Sequence, residues 1–208
     1  MIVTAIRPQK FRKNFFNIHL DGKFAFALNA DEIVKSHLKI GSEISDIDVS
    51  KFKKVKKDID LTDSLFRYIS FRPRSEKEVR DYFKKKKIDL KEIEKLIDKA
   101  KSLKLINDAD FAVWWLEQRA VFRPKGLRLL KIELKQKGIS DEIINSVLSN
   151  KSSQSEYKIA INLAQKKLPS LKNYDPEEKK QKLFAFLVRR GFDFDEAETA
   201  VDATLKKD

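Results

Sequence analysis

Apolar positions alternate along about the first fifty residues, then recur at three- and four-residue spacing from Leu61 onward. In the alternating part, Ile2 to Arg7 reads as a short strand. Phe15 to Leu20 and Lys23 to Leu28 flank Asp21-Gly22, a pair that favours the tight turn of a β-hairpin. Two-residue pairing sets Leu20 opposite Lys23 and His19 opposite Phe24. Side chains alternate across a strand, so Phe15, Phe24, Phe26 and Leu28 are expected on one face. Phe16, Ile18 and Leu20 are expected on the other, with Ala25 and Ala27. Asn29 or Asp31 can cap a short helix through Leu38 that Gly41 ends. Ile44, Ile47 and Val49 suggest a further strand or turn. Residues 51–60 form a charged bridge, either a linker or the solvated start of a helix.

Leu61, Leu65, Tyr68 and Ile69 then mark one face of a helix. Arg72-Pro73 stops it, because the residue before a proline avoids the helical region. Ser75 and Glu78 have the spacing of a capping box for a second helix that turns Val79, Tyr82 and Phe83 inward. Asp89 opens a third, with Ile93, Leu96, Ile97, Ala100 and Leu103. The pattern returns at a shift of 51 residues, where Phe71-Arg72-Pro73-Arg74 becomes Phe122-Arg123-Pro124-Lys125. The same shift carries Leu65, Val79, Phe83, Ile88 and Ile93 onto Leu116, Leu130, Leu134, Ile139 and Ile144. A more divergent third copy aligns Val79, Tyr82 and Phe83 with Leu183, Phe186 and Leu187. In it Phe192-Asp193-Phe194-Asp195-Glu196 echoes Ile88-Asp89-Leu90-Lys91-Glu92. Its first helix is expected from Ser155 to Leu168, and its second starts at Asp175-Pro176.

The expected fold is therefore mainly α. Three tandem three-helix repeats form an elongated array after a small N-terminal β-hairpin and short-helix extension. The boundaries are expected at 1–56, 57–108, 109–152 and 153–208, with Ser152-Ser153 between the second and third repeats. Units this small bury their cores by stacking on neighbours.

Composition narrows the chemistry. Lys and Arg number 45 against 32 Asp and Glu, a net charge of +13 that points to nucleic acid or an acidic protein as partner. The excess is spread along the chain, so the positive field belongs to folded units. The lack of cysteine excludes disulfides and thiolate chemistry. His19 and His37 share no ligand spacing, and no metal or cofactor is expected. With five glycines there is no phosphate-cradling loop, and no Ser/His/Asp set is evident, so no catalytic residue is assigned. Neither a membrane span nor a signal peptide is visible, and a cytoplasmic monomer is expected.

Basic residues at the interhelix corners are the candidate partner- or DNA-binding groups. Arg72 and Arg74 flank Pro73, and Arg123 and Lys125 flank Pro124. Such corners open a helix whose N–H groups already favour an anion, and Arg grips phosphate or carboxylate through two hydrogen bonds. The same residues could instead cap and space the corner. Arg119 and Arg128 in the second repeat and Arg189-Arg190 in the third complete the set. Lys84, Lys85, Lys86 and Lys87 end the second helix of the first repeat, where cations also complement the helix dipole. Trp115 follows Phe111 by four residues and reads as core; Trp114 covers a repeat interface or stands as an exposed anchor. The Phe-rich hairpin reads as a base-stacking platform or as a small sheet packed on the first helix.

Two stretches carry a family resemblance. One is Phe71-Arg72-Pro73-Arg74-Ser75-Glu76-Lys77-Glu78-Val79-Arg80-Asp81-Tyr82. The other runs from Leu105-Ile106-Asn107-Asp108-Ala109-Asp110-Phe111-Ala112 through Arg119 and Arg123-Pro124-Lys125-Gly126 to Ile139. Together they resemble the RecX family of recombination regulators, best over about residues 61–150 and more loosely over 151–208. The N-terminal hairpin resembles the extension of longer members. The resemblance implies tandem three-helix repeats that bind along the groove of a RecA-type recombinase filament on single-stranded DNA. It implies modulation, usually inhibition, of the partner's strand exchange and ATP hydrolysis, with no catalysis of its own. The chain departs from the family in having more Lys than Arg and few basic residues in its second repeat. A stand-alone basic helical-repeat nucleic-acid binder, taking bare DNA, is the alternative, and an adaptor for acidic proteins a third.

Overall fold

A computed structural model describes residues 1–149 and 153–206, so the boundary expected at Ser152-Ser153 falls at the edge of the described residues. The chain divides into two compact units, Met1–Tyr68 and Ile69–Asp208.

In the first unit, β1 (Val3–Pro8), β2 (Phe15–Leu20) and β3 (Lys23–Asn29) form an antiparallel sheet in that order. Asp21 and Gly22 both take positive φ, 46° and 81°, so the two-residue turn has the primed geometry that matches strand twist. Leu20 faces Lys23 and His19 faces Phe24, as the turn dictates. Beyond them the expected faces are overturned. A bulge makes Ala25 an extra residue, so Ile18 pairs with Phe26 and Phe16 with Leu28. A one-residue slip exchanges the faces of a strand. Phe26 and Leu28 therefore join Val3, Ile18, Leu20 and Leu38 in the core, while Phe24 is left exposed.

The helix α1 (Ala30–Lys35) is capped by Asn29, whose side chain accepts from Glu32 N–H. It ends earlier than Leu38, because Ser36 caps it and His37 turns to φ 52°. The expected strand or turn at Ile44 to Val49 is instead largely a helix start. Ser45 and Asp48 exchange side-chain-to-backbone hydrogen bonds and open α2 (Asp46–Ser70). The charged bridge 51–60 is the interior of that helix. Phe52 and Val55 pack on the sheet's core, with Phe52 stacked on Phe26 at 5.2 Å.

The second unit carries α3 (Glu76–Lys85), α4 (Leu90–Ser102), α5 (Asp108–Phe122), α6 (Leu127–Gln136) and α7 (Asp141–Ser149). The third repeat has α8 (Ser153–Lys167), a 3-10 turn at Leu168–Leu171, α9 (Pro176–Arg189) and α10 (Phe194–Leu205). The first helix of the first repeat is the C-terminal part of α2, where Leu61 and Leu65 are buried. The mapped positions Val79, Phe83 and Ile93 are fully buried, as are Leu134, Ile144, Leu183 and Leu187. Leu103 departs from expectation: it is the C-cap of α4 and half exposed.

Each second helix ends in the same way. A residue with positive φ follows the C-cap: Lys87, Gly138 and Gly191. The next N–H then turns back, from Ile88 to Phe83 O, Ile139 to Leu134 O and Phe192 to Leu187 O. Each of the first two repeats sets the start of its second helix against the end of the next one. Ser75 Oγ donates to the C-cap carbonyl of Lys137 at 2.7 Å, and Gly126 N–H donates to that of Arg190 at 3.0 Å. Beside these bonds, Asp108 Oδ1 accepts from Glu76 N–H at 2.8 Å, and Glu156 Oε1 from Leu127 N–H at 2.6 Å. The following repeat thereby meets two orphan backbone donors at the start of α6, and one backbone donor and the Ser75 hydroxyl at the start of α3.

The approach is close. A Cβ on Gly126 would collide with the backbone of Gly191, which cannot yield. Gly126→Ala should therefore destabilise by about 3 kcal/mol, at the upper end of overpacking costs. Lys87→Gly should act oppositely. It removes the αL cost of a side chain, about 1–2 kcal/mol, against a glycine entropy cost of about 0.5–1 kcal/mol. Urea denaturation followed by circular dichroism would give both signs; a destabilised Lys87→Gly would refute the strain assigned to that corner.

Candidate docking interface at the repeat corners

The two Arg-Pro corners begin α3 and α6, and stacking joins the α3 corner to the C-terminal end of α6. Arg72 forks onto Glu78, with both N–O distances 2.9 Å, and also donates to Pro73 O. Lys137, the C-cap of α6, reaches the same carboxylate at 2.6 Å. Its Nζ also lies 4.8 Å from the Trp115 ring centroid, and the Arg119 guanidinium lies 4.2 Å from the same ring. Trp115 Nε1 donates to Glu133 at 2.9 Å, Arg119 Nε donates to it at 2.7 Å, and Lys125 pairs with its other oxygen. The Arg72 guanidinium lies 5.6 Å from the Trp114 ring. Four cations, two carboxylates and two indoles thus form one connected network.

Burial pushes the Glu78 carboxyl up, but the hydrogen bonds from Arg72 and Lys137 outweigh it and hold it below the usual range. At Glu133 burial is likewise outweighed by Lys125, Arg119 and Trp115. Asp108 goes the other way. Burial raises it and the Glu76 charge adds to the rise, while the Glu76 N–H and Lys101 oppose it.

The expected binding residues therefore fall into two groups. Arg72, Arg119 and Lys125 are committed to carboxylates of their own chain. Arg190 lies over the Phe186 ring at 5.1 Å, and Arg128 bridges to Val188 O at 2.8 Å. Arg74 is half-buried. Arg123 and Arg189 are exposed, as are Lys84, Lys85, Lys86 and Lys87, with Lys86 over the Tyr82 ring at 4.4 Å. Sequence-equivalent corner residues are thus not equivalent in setting: Arg72 is tied to Glu78, while Arg123 is exposed and makes no ion pair among the described residues. Trp114 and Trp115 are both half-buried, so Trp115 is a hydrogen-bonded part of the network rather than full core.

Sequence pattern passes over two features. Glu133 organises three donors, and its signal is that it is the lone acid between Glu117 and Asp141, among seven basic residues from Arg119 to Lys137. Phe71 and Phe122, read only as repeat markers, are 78% and 74% exposed. The same aromatic is turned to solvent at the same place in two repeats.

Among the described residues no helix is long and apolar enough to cross a membrane, and no His, Asp and Glu group is placed to hold a metal ion.

Family models match four segments of the chain. Residues 1–45 match the regulatory protein RecX N-terminal domain, and 63–99, 107–148 and 154–201 match the first, second and third RecX three-helix domains. A regulatory protein RecX of Bacillus licheniformis is 34% identical over 97% of this chain and 77% of its own length. The chain belongs to the RecX family. RecX of Bacillus subtilis is 35% identical over 96% of this chain and 76% of its own, and RecX of Clostridium beijerinckii 32% over 91% and 89%. Among solved structures, a crystal structure of regulatory protein RecX superposes with a TM-score of 0.76, covering 97% of this chain and 98% of that one. RecX from Lactobacillus salivarius gives 0.66 over 73% and 99%. Both are 24% identical and establish the shared fold.

The network predicts how this chain responds to acid. Glu78 and Glu133 have depressed folded pKa values, so their stabilisation is present above the unfolded value of about 4.3. It is lost as pH falls through the folded values. Glu133→Gln should cost about 1–3 kcal/mol near neutrality, because three donors lose a charged acceptor. The gap to the parent should narrow and close as pH falls through the depressed folded value of Glu133. Thermal melts across the acid range would show it; a gap that stays constant with pH would contradict the charge-based account.

Proposed function

We propose that this chain regulates homologous recombination and DNA repair by docking on a RecA-type recombinase filament on single-stranded DNA, lowering the filament's ATPase and strand exchange. The observation that carries this reading beyond family membership is the pair of exposed phenylalanines at equivalent corners, Phe71 and Phe122. A filament repeats its own surface, and a chain that repeats its contact can engage successive subunits. Weak contacts then add through effective concentration. Exposed Arg123 and Arg189 supply cations toward acidic protein surface or phosphate, and the internally paired Arg72, Arg119 and Lys125 hold the corners in place. The protein acts without catalysis, as a cytoplasmic monomer. Regulation follows if docking favours one filament conformation or blocks incoming duplex. The net charge of +13 also suits a stand-alone nucleic-acid binder, and the two readings separate in one assay.

DNA-dependent ATP hydrolysis by the cognate recombinase should fall at ratios well below one copy of this chain per recombinase protomer. Unchanged hydrolysis, together with tight binding to bare DNA, would leave the nucleic-acid binder. Phe71→Ser with Phe122→Ser should weaken the effect about ten- to a hundredfold, the scale of losing two interface anchors, with helicity intact. A double variant as potent as the parent would remove the corners from the interface.

A further inference from the structure

The β1–β2 loop, residues 9–14, has the sequence Gln-Lys-Phe-Arg-Lys-Asn and lies in the first unit. Phe11 at its tip is 90% exposed, the highest value among the exposed large apolar residues. Single exposed apolar residues are ordinary, but this loop has a built setting. Its base is closed by Gln9 N–H to Phe15 O at 2.8 Å, Phe15 N–H to Arg12 O at 2.9 Å and Ala30 N–H to Asn14 O at 3.0 Å. Arg12 forks onto two carboxylates of α2, Asp60 at 2.7 Å and Asp63 at 2.5 Å. Its guanidinium also lies over the Phe15 ring at 3.6 Å. The one loop cation that turns inward is thus a clamp. It holds Phe11 in water when nothing in the fold gains from the ring.

The electrostatics are one-sided. No acidic residue occurs before Asp21. Arg7, Lys10 and Lys13 are exposed and make no ion pair among the described residues. Lys10 Nζ stands 5.7 Å from the Phe11 ring centroid. A pinned aromatic ring with free cations beside it matches the combination that binds unpaired nucleic acid: the ring stacks on a base while the cations track the phosphates. Duplex suits it less, because entering a base stack costs unstacking energy.

We propose that the β1–β2 loop is a single-stranded nucleic-acid contact, with Phe11 as the base-stacking residue, Arg7, Lys10 and Lys13 as phosphate contacts, and Arg12 as the positioning residue. The site goes beyond the filament reading and does not rest on it. The test is fluorescence anisotropy of the full chain with fluorescein-labelled oligo(dT) at low salt, alongside a duplex of the same length.

Phe11→Ala should weaken oligo(dT) binding about tenfold, the scale of one base–aromatic stack. Phe11→Trp should retain binding, and Phe11→Leu should behave like Phe11→Ala. Lys10→Glu with Lys13→Glu should weaken binding and flatten its salt dependence. Equal affinity of Phe11→Ala and the parent, full binding by Phe11→Leu, or a parent that prefers duplex would each overturn the proposal. So would a parent that binds no DNA and instead binds an acidic protein through this loop. The Phe71/Phe122 double variant should bind oligo(dT) like the parent, so failure here and failure of the corner assignment are read separately.

Discussion

The stacking of one repeat on the next depends on a contact between helix ends. The start of a second helix brings unmet donors and the positive end of a dipole; the end of the following one brings unmet carbonyls and the negative end. The Gly126–Arg190 bond meets both needs at once; at Lys137 the carbonyl is met by the Ser75 hydroxyl, while Asp108 accepts from Glu76 N–H. Because the bond is to a C-cap carbonyl, the turn after that residue must be tight and slender. Gly138 and Gly191 supply it at positive φ. Ideal Cβ atoms there would come within 2.6 Å of Lys77 and Leu129 respectively.

That contact also decides which cations face outward. Bringing the end of α6 to the α3 corner delivers Lys137 to Glu78, where Arg72 already sits. A half-buried carboxylate with two cations is a strong intramolecular trap, since charge-assisted bonds outlast the desolvation cost when the geometry is two-pronged. Glu133 does the same for Arg119 and Lys125. Net charge alone overstates the cations available to a partner, because part of the positive surface is consumed in holding the repeats together. Exposed cations outside these pairs include Arg123, Arg189, Lys84, Lys85 and Lys87 on the repeats, and Arg7, Lys10 and Lys13 at the N-terminal sheet.

Much of the fold was legible because it is periodic. The shift of 51 residues carries α3 (Glu76–Lys85) onto α6 (Leu127–Gln136) end for end. Ser75, Asp89 and Asp175 announced their helix starts as caps. What was not legible lay where a non-local or single-residue event intervenes. Nothing in the residues 23–29 marks Ala25 as a bulge; burying Phe26 and Leu28 beside Ile18 is a tertiary demand that the local pattern leaves open. The lysines of 51–60 hid the apolar spacing of Phe52, Val55 and Ile59, and Ser45 with Asp48 was the overlooked start signal. The candidate site was legible as a list of basic residues but not as a circuit. Pairing Arg72 with Lys137 through Glu78 spans 59 residues from Glu78 to Lys137 and exists only once the repeats stack.

The stacking contact makes a specific demand on the residue that follows each second helix. Gly138 and Gly191 receive an incoming helix start; the equivalent place in the first repeat is Lys87, which keeps the positive φ but carries a side chain. A Cβ at either glycine would press on the side chain of the incoming helix, so a residue with one at this place does not admit the same approach. Three further lysines precede it, and together they put concentrated positive charge where the other repeats present a carbonyl to a neighbour. In the third repeat Asp175 caps its helix by accepting from Glu178 N–H at 2.8 Å, as Ser75 accepts from Glu78 N–H at 3.2 Å in the first. The glycine-bearing helix ends thus accept a neighbouring helix start, whereas the end at Lys87 presents a charged side chain at the same place.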